Sequence, residues 1–218
     1  MGLSLELVQV SKTYNGQVIL KDCSWVFDTG LTHVLMGPNG TGKSTLLRIC
    51  ALLEAPNRGR VNYLADDGRP LAPDLDLKRR ITLLLPSVGV FNTSVFHNVA
   101  YGLKIRGFKK REIEAKVDAI LEAVGLAEKK RQRALDLSTG QSKRLGLARA
   151  MVLEPEVIFL DEPTASIDQA NTEIIEEIIM KMKVEKRATI IMVTHDPAQA
   201  ERLGDRLLLI KDGKLLPG

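Results

Sequence analysis

Aromatic side chains are scarce in this sequence: they make up 4% of its 218 residues, whereas charged residues make up 27%. Basic clusters such as "LKRR" (77–80) and "EKKRQR" (128–133) contain no aromatic residue. Proteins that bind single-stranded nucleic acid combine a basic groove with aromatic rings on which the bases stack. The net charge of +4 is small, and acidic residues lie between most of the basic clusters, as on solvated helix faces. We therefore expect no nucleic-acid partner.

Long apolar segments and cysteine patterns are also missing. The longest apolar stretch, "ITLLLPSVGVF" (81–91), is interrupted by Pro86 and is far shorter than the roughly 20 residues that cross a bilayer. The first ten residues have neither the basic region nor the cleavage site of an export signal. Cys23 and Cys50 are too few and too far apart for a disulfide framework or a zinc site. These absences predict a soluble cytoplasmic protein.

Hydrophobic periodicity predicts an α/β fold with a largely parallel sheet, because continuous apolar strands alternate with amphipathic helices. The stretch 92–150 has no strand signal and is predicted to be helical. An alternating strand is predicted at 4–10 and a hairpin at 59–71, about Asp67 and Gly68. The remaining predicted elements are a second alternating strand at 22–30, buried strands at 32–37 and 188–195, helices at 109–124 and 171–183, and a terminal hairpin at 207–216.

The segment "GPNGTGKS" (37–44) matches the phosphate-binding loop pattern G-x-x-x-x-G-K-[ST] in full, with a strand before it and a helix after it. Backbone amides of such a loop and the helix N-terminus attract phosphate groups. Lys43 adds a full positive charge for the β- and γ-phosphates, and the Ser44 hydroxyl can bind Mg²⁺. The residues expected to bind the nucleotide here are Gly37, Pro38, Asn39, Gly40, Thr41, Gly42, Lys43, Ser44 and Thr45.

Within the segment "VIFLDEPTASID" (157–168), an apolar strand is followed directly by two adjacent carboxylates, Asp161 and Glu162. Burying an unpaired charge is strongly unfavourable, so this arrangement calls for a cation or a reaction. A nucleoside triphosphate brings Mg²⁺, which Asp161 can bind directly or through water. Glu162 is then placed to act as the general base that polarises the attacking water.

Over essentially its whole length, the chain resembles the nucleotide-binding ATPase subunit of ATP-binding cassette (ABC) transporters. Besides the two motifs above, "LSTGQ" (137–141) is similar to the family signature L-S-G-G-Q, and His195 in "VTHD" to the family's switch histidine. Tyr14 in "VSKTYNG" falls where the family places an aromatic ring against adenine. The resemblance implies a P-loop NTPase core at 1–91 and 151–218, with an N-terminal antiparallel β subdomain, and an inserted helical subdomain at 92–150.

The resemblance also implies a head-to-tail homodimer with ATP at the interface. The phosphate loop of one subunit would face the signature residues of the other, Asp168 would sense the opposite site, and His195 would contact the γ-phosphate. Thr139 stands where the family usually has glycine. The signature residues expected to bind ATP are Ser138, Thr139, Gly140 and Gln141.

One departure concerns the loop after the strand that begins at Ile81. The family normally has a glutamine here that approaches Mg²⁺ and the attacking water. Aligning the loop on Phe91 puts Pro86 at the glutamine position and Val88 at the position of a family proline. Either the site lacks this side chain, which would slow hydrolysis, or another residue such as Ser87 reaches the metal.

The resemblance implies a cytoplasmic ATPase on the inner face of the cell membrane, attached through an integral membrane permease and served by a solute-binding protein. The stretches "NVAYGLKIRG" and "ALLEAPNRG", and the lack of an added C-terminal domain, most resemble importers of oxyanions such as tungstate, followed by phosphate importers. Two alternatives stay open. One is a nucleotide-binding regulatory module of low turnover, and the other is a non-transport ABC ATPase that acts on DNA or ribosomes.

Overall fold

The computed structural model describes residues 3–185 and 188–218. Two compact units divide the chain. The first comprises the chain up to Leu83, Pro155–Glu162 and the part from Met182 onward; the second, called the helical unit below, comprises Leu84–Glu154 and Pro163–Lys181. The helical unit therefore begins before the predicted boundary at residue 92 and includes a second segment beyond residue 150.

The elements follow one another in an order that mixes strands and helices. The strands are β1 (Ser4–Tyr14), β2 (Gln17–Phe27), β3 (Thr32–Met36), β4 (Arg58–Leu64), β5 (Ile81–Leu84), β6 (Val157–Asp161), β7 (Thr189–Val193), β8 (Arg206–Lys211) and β9 (Lys214–Pro217). The α-helices are α1 (Lys43–Cys50), α2 (Leu75–Arg79), α3 (Val95–Ile105), α4 (Lys110–Ala123), α5 (Thr139–Met151), α6 (Gln169–Val184) and α7 (Pro197–Leu203).

Three strands of the first unit form an antiparallel sheet in the order β2-β1-β4. The strand predicted at 4–10 is confirmed and continues to Tyr14. The hairpin predicted at 59–71 forms only in part. Its turn is present, with the amide of Ala65 donating to the carbonyl of Arg69 at 2.9 Å. Beyond the turn only an isolated bridge pairs Leu64 with Pro70, because proline has no N–H to continue a ladder.

The second sheet of the first unit has the order β5-β6-β7-β3-β8-β9. Strands β6, β7, β3 and β8 run parallel to one another, so their carboxyl ends lie at the same edge, whereas β9 is antiparallel to β8. Strands β6 and β7 are buried along their whole length, which explains their continuous apolar sequences. Leu35 in β3 and Asp161 in β6 both pair with Val193 in β7. The chain segments that follow these three residues therefore leave the sheet side by side at its carboxyl edge.

The helical unit contains α3, α4 and α5 between residues 92 and 150. Among the described residues of that stretch, strand pairing is limited to one bridge between Ser94 and Arg133. Helix α4 confirms the prediction for 109–124, with Ile113, Val117 and Leu121 buried. The terminal hairpin is confirmed as β8 and β9. Within the described ranges, no helix is both long and apolar enough to cross a membrane.

Candidate functional site

The phosphate loop lies between the end of β3 at Met36 and the start of α1 at Lys43. Gly37, Gly40 and Gly42 all have positive φ angles, of 147°, 81° and 101°, a region that other residues rarely adopt. Space is also restricted. A Cβ atom on Gly37 would lie 2.5 Å from the carbonyl oxygen of Ile210, and one on Gly42 would lie 2.8 Å from a side-chain carbon of Ile19. The loop conformation therefore requires glycine at both ends of the pattern.

Lys43 is buried, with 6% of its surface exposed. Its Nζ donates hydrogen bonds to the carbonyl oxygens of Gly37, at 2.7 Å, and of Pro38, at 2.9 Å. The ammonium group thus lies inside the phosphate loop and is hydrogen-bonded to its first two residues. Because both acceptors are neutral carbonyls, the positive charge stays available to a bound anion.

Asp161 is the last residue of β6 and is 2% exposed. Burial raises the pKa of Asp161 above its usual value, and a hydrogen bond from the Ser44 hydroxyl opposes the shift. The structure therefore brings together the two predicted metal ligands. In the described part of the chain, no group of three or more histidine, cysteine or acidic side chains could hold a metal. A hydroxyl and one carboxylate, completed by phosphate oxygens and water, are nevertheless the oxygen ligands that suit Mg²⁺.

Glu162 and His195 also lie together at this edge. The Glu162 carboxylate is 3.6 Å from Nδ1 of His195, and the Glu162 amide donates to the carbonyl of Val193 at 3.1 Å. Glu162 has a φ of 49°, a conformation that is costly for a residue other than glycine and that tends to occur at functional sites. The side chains of Glu162 and His195 are 25% and 67% exposed, so both are accessible to a ligand.

Tyr14, at the end of β1, has an exposed ring. Its hydroxyl donates to the carboxylate of Glu54, which also binds Nζ of Lys12 at 2.8 Å. Sequence analysis found neither Glu54 nor Lys12, because both contact Tyr14 only in the folded chain. The only signal was the acidic residue within "ALLEAPNRG".

The signature segment belongs to the helical unit and begins α5. Ser138 caps this helix: its hydroxyl accepts from the Gln141 amide at 3.3 Å, and the Gln141 side chain accepts from the Ser138 amide at 3.1 Å. A Cβ atom on Gly140 would lie 2.2 Å from the side chain of Asn171. Asn171 also donates to both carboxylate oxygens of Asp168. Asn171, which sequence analysis missed, thus connects the signature glycine with Asp168.

The sequence profile of the ABC transporter family matches residues 20–165, a range that includes the phosphate loop, the signature segment and both carboxylates. The chain belongs to the ABC transporter family. As a member, it is an ATP-binding subunit of a transporter and an ATPase. Membership supports the transport function over the two alternatives, a regulatory module and a non-transport ATPase.

Two relatives illustrate the similarity. The chain is 36% identical over 213 residues to the tungstate uptake system ATP-binding protein TupC of Peptoclostridium acidaminophilum, covering 98% of this chain and 97% of that protein. It is 35% identical over 212 residues to the spermidine/putrescine import ATP-binding protein PotA of Mycoplasma mycoides subsp. mycoides. That alignment covers 97% of this chain but 60% of the relative, so the chain spans less than two thirds of that protein.

Among solved structures, the chain is similar to MJ0796, described as a dimeric bacterial ABC transporter cassette. The TM-score is 0.85 at 27% identity, with 97% of this chain and 96% of that chain covered. The predicted fold class, a P-loop NTPase with a mostly parallel sheet, an antiparallel β part and a helical part, is therefore confirmed.

The loop at the ABC family's glutamine position lies within the helical unit from Leu84 onward. Pro86 is exposed, and its carbonyl accepts a hydrogen bond from Nζ of the buried Lys143. Further along the loop, Arg149 donates to the carbonyl of Gly89 at 2.6 Å. Asn98 binds both the amide and the carbonyl of Phe91, at 2.8 and 3.1 Å. Side chains of α3 and α5 therefore fix this loop through its backbone.

Proposed function

We propose that this chain binds Mg-ATP between the two subunits of a head-to-tail homodimer and that hydrolysis drives solute import through a separate integral membrane permease. One observation carries the proposal. Ser44, Asp161, Glu162 and His195 lie at the carboxyl edge of one parallel sheet, together with the phosphate loop. In open α/β sheets, ligands bind at this edge.

The proposed binding mode assigns the phosphates to the loop. Lys43 binds the β- and γ-phosphates, and the loop amides and the start of α1 supply further partial positive charge. Ser44 and Asp161 hold Mg²⁺ by oxygen atoms. A magnesium ion bound there would neutralise charge on the phosphate oxygens and would offset the burial that raises the pKa of Asp161.

The proposed reaction is the attack of water on the γ-phosphorus. As the new P–O bond forms, the bond between this phosphorus and the oxygen bridging to the β-phosphate breaks, and Glu162 accepts a proton from the water. His195 positions the γ-phosphate, and its Nδ1 lies 3.6 Å from the Glu162 carboxylate. Because orientation of the reacting groups contributes strongly to the rate, two fixed side chains at the water are favourable.

The proposed dimer uses the second copy of the signature segment. Ser138 and Thr139 are exposed at the start of α5, and Asp168 is also exposed. The capping box occupies the amides of Ser138 and Gln141. The amides of Thr139 and Gly140, in the first turn, have no partner within their own helix and are offered to a phosphate of the other subunit's nucleotide. The dimeric state of the solved relative supports the proposal of a dimer.

The proposed permease contact is an aromatic surface of the helical unit. The rings of Phe91 and Tyr101 lie 4.8 Å apart and are 41% and 51% exposed. Arg149 lies 4.8 Å from the centre of the Phe91 ring, and Ile105 is 65% exposed. Exposed aromatic residues and arginine are typical of protein interfaces. This contact would hold the chain on the cytoplasmic face of the membrane.

The proposed solute is an oxyanion, with tungstate first and phosphate second, delivered by a solute-binding protein. The full-length similarity to a tungstate uptake protein supports this choice, whereas the polyamine relative extends well beyond the aligned region. This chain supplies energy and does not contact the solute.

Uptake by cells tests the proposal. Cells that carry either the natural chain or its Lys43→Ala variant would be given tungstate, phosphate or spermidine, and the accumulated solute would be measured. We expect tungstate uptake to fall in the variant and the other two to stay unchanged. Loss of phosphate or spermidine uptake instead would reassign the solute, and unchanged uptake of all three would refute a role in importing any of them.

A further inference from the structure

A group of four side chains in the first unit connects the Tyr14 ring with the phosphate-binding helix. We call it the Tyr14 cluster: Lys12, Tyr14, Thr45 and Glu54. The Tyr14 hydroxyl donates a hydrogen bond to the Glu54 carboxylate, which raises the pKa of Tyr14, and the nearby Thr45 hydroxyl acts on that pKa in the opposite direction. Thr45 lies on α1, two residues after Lys43. The ring therefore lies close to the same helix that carries Lys43 and Ser44.

Lys12 holds the acidic member of the cluster in place. Its Nζ lies 2.8 Å from the Glu54 carboxylate, and the two side chains are only 12% and 22% exposed. The same ammonium donates to the carbonyl of Ala55 at 2.8 Å, so it has two fixed acceptors. An ion pair shielded from solvent is screened less by salt than one on the open surface. Lys12 Nζ and the Tyr14 hydroxyl thus meet at the same oxygen, Oε1 of Glu54.

Lys12 also restricts how the ring can be used. Its Nζ lies over the Tyr14 ring, 5.2 Å from the centroid, a favourable cation–π distance. One face of the ring is therefore occupied, while 39% of the residue is exposed. A flat ligand such as a purine can stack only on the opposite face.

We propose that Glu54, held by Lys12, is a positioning residue that fixes the Tyr14 ring for the purine base of the nucleotide. The inference rests on the proposed function, in which Tyr14 stacks on adenine. A mobile side chain loses rotamer freedom when it binds a ligand, and fixing it beforehand avoids this loss.

The test compares two ligands, ATP and inorganic triphosphate, because only ATP has a base. Calorimetric titration would give the affinity of each for the natural chain and for Tyr14→Ala, Tyr14→Phe, Glu54→Ala and Glu54→Gln. We expect Tyr14→Ala to weaken ATP binding roughly five- to hundredfold. Glu54→Ala and Tyr14→Phe should each weaken it about two- to tenfold, the cost of fixing one side chain. Affinity for inorganic triphosphate should not change.

Two further measurements separate positioning from a general structural role. The double variant Tyr14→Phe/Glu54→Ala should bind ATP about as tightly as whichever single variant has the lower ATP affinity, because both changes break the same contact. Glu54→Gln keeps a hydrogen-bond acceptor and should lose less than Glu54→Ala. Arg69→Ala serves as the control, since it removes an exposed ion pair with Asp67 in the same unit, whose side chains are 73% and 63% exposed.

The outcomes distinguish this inference from the proposed function. If Tyr14→Ala binds ATP like the natural chain, adenine stacking by Tyr14 is wrong. If Tyr14→Ala weakens ATP binding while Glu54→Ala and Tyr14→Phe do not, stacking stands and the positioning role of Glu54 is wrong. Equal losses for ATP and inorganic triphosphate in Glu54→Ala would also overturn the inference, since they indicate general disruption. If Glu54→Ala does not fold, Tyr14→Phe and Glu54→Gln decide the matter by the same comparison.

Discussion

Replacing Glu162 with glutamine tests the proposed general base most directly. Glutamine has nearly the same shape, so the φ of 49° and the hydrogen bond from the Glu162 amide to Val193 are kept. What changes is the ability to accept a proton. We therefore expect Glu162→Gln to bind ATP normally, to hydrolyse it very slowly, and to accumulate as an ATP-bound dimer.

The size of the fall in turnover distinguishes loss of the general base from loss of the contact with His195. Loss of a general base typically lowers the rate by about 10²- to 10⁴-fold, which corresponds to roughly 3–5 kcal/mol in the barrier. When His195 carries a proton, glutamine also removes a charge attraction to it; the His195 side chain is 67% exposed and 3.6 Å away. Exposed ion pairs contribute at most about 1 kcal/mol, equivalent to roughly a fivefold change in rate. Loss of the proton acceptor should therefore dominate.

The assay measures steady-state phosphate release at saturating Mg-ATP, together with the mass of the protein on size-exclusion chromatography. The control is Glu201→Gln, which changes an exposed glutamate on α7 and should retain both turnover and the natural oligomeric behaviour. A fall in turnover of less than about fivefold in Glu162→Gln could come from the lost ion pair alone, and would refute the role of Glu162 as base. A variant that stays monomeric with saturating ATP would refute the trapped dimer.

Three further predictions concern Lys43, Asp161 and the loop at Pro86. Lys43→Ala removes the ammonium from inside the phosphate loop and should abolish productive ATP binding; a titration that gives unchanged affinity would contradict the assignment. Burial raises the pKa of Asp161 in the folded protein above its unfolded value, which is about 3.9. The contribution of Asp161 to the stability of the folded protein is therefore complete when it is protonated, below a pH of about 3.9, and is lost as pH rises through the folded pKa. Asp161→Asn should therefore raise the melting temperature of the Mg-free protein at neutral pH, with a gain that disappears near pH 4 or below; an equal gain at both pH values would show that the carboxyl charge is not its source. Pro86→Gln should raise basal ATPase turnover severalfold if the missing side-chain amide limits hydrolysis. If turnover stays unchanged while Ser87→Ala abolishes it, Ser87 serves the site instead.

Much of the fold follows from local patterns. The apolar runs of β3 and β7 predict buried parallel strands because such strands are covered on both faces, and the periodicity of α4 defines its buried side. The pattern fails where tertiary context decides. The arm after Gly68 forms only a bridge because Pro70 lacks an N–H. Similarly, nothing in the amphipathic pattern of residues 171–181 says that this segment belongs to the helical unit.

The site divides in the same way. The phosphate loop and the adjacent carboxylates could be predicted because each is a short contiguous motif with its chemistry in the sequence. Glu54 and Asn171 could not, since each acts through a contact that only folding creates: Glu54 is 40 residues from Tyr14, and Asn171 reaches Gly140 from another helix. Neither residue type is distinctive by itself.

The fixed loop at Pro86 determines what its substitution can reveal. Lys143 binds the backbone carbonyl at position 86, not the side chain, and Arg149 likewise binds the carbonyl of Gly89. A glutamine at position 86 keeps that carbonyl, so the anchoring of the loop to α5 survives the change. It does remove the fixed φ of proline, near −65°, and it adds a side-chain amide. A higher ATPase rate in Pro86→Gln without a lower melting temperature would therefore point to the amide, whereas a higher rate that Pro86→Ala also shows would point to loop stiffness.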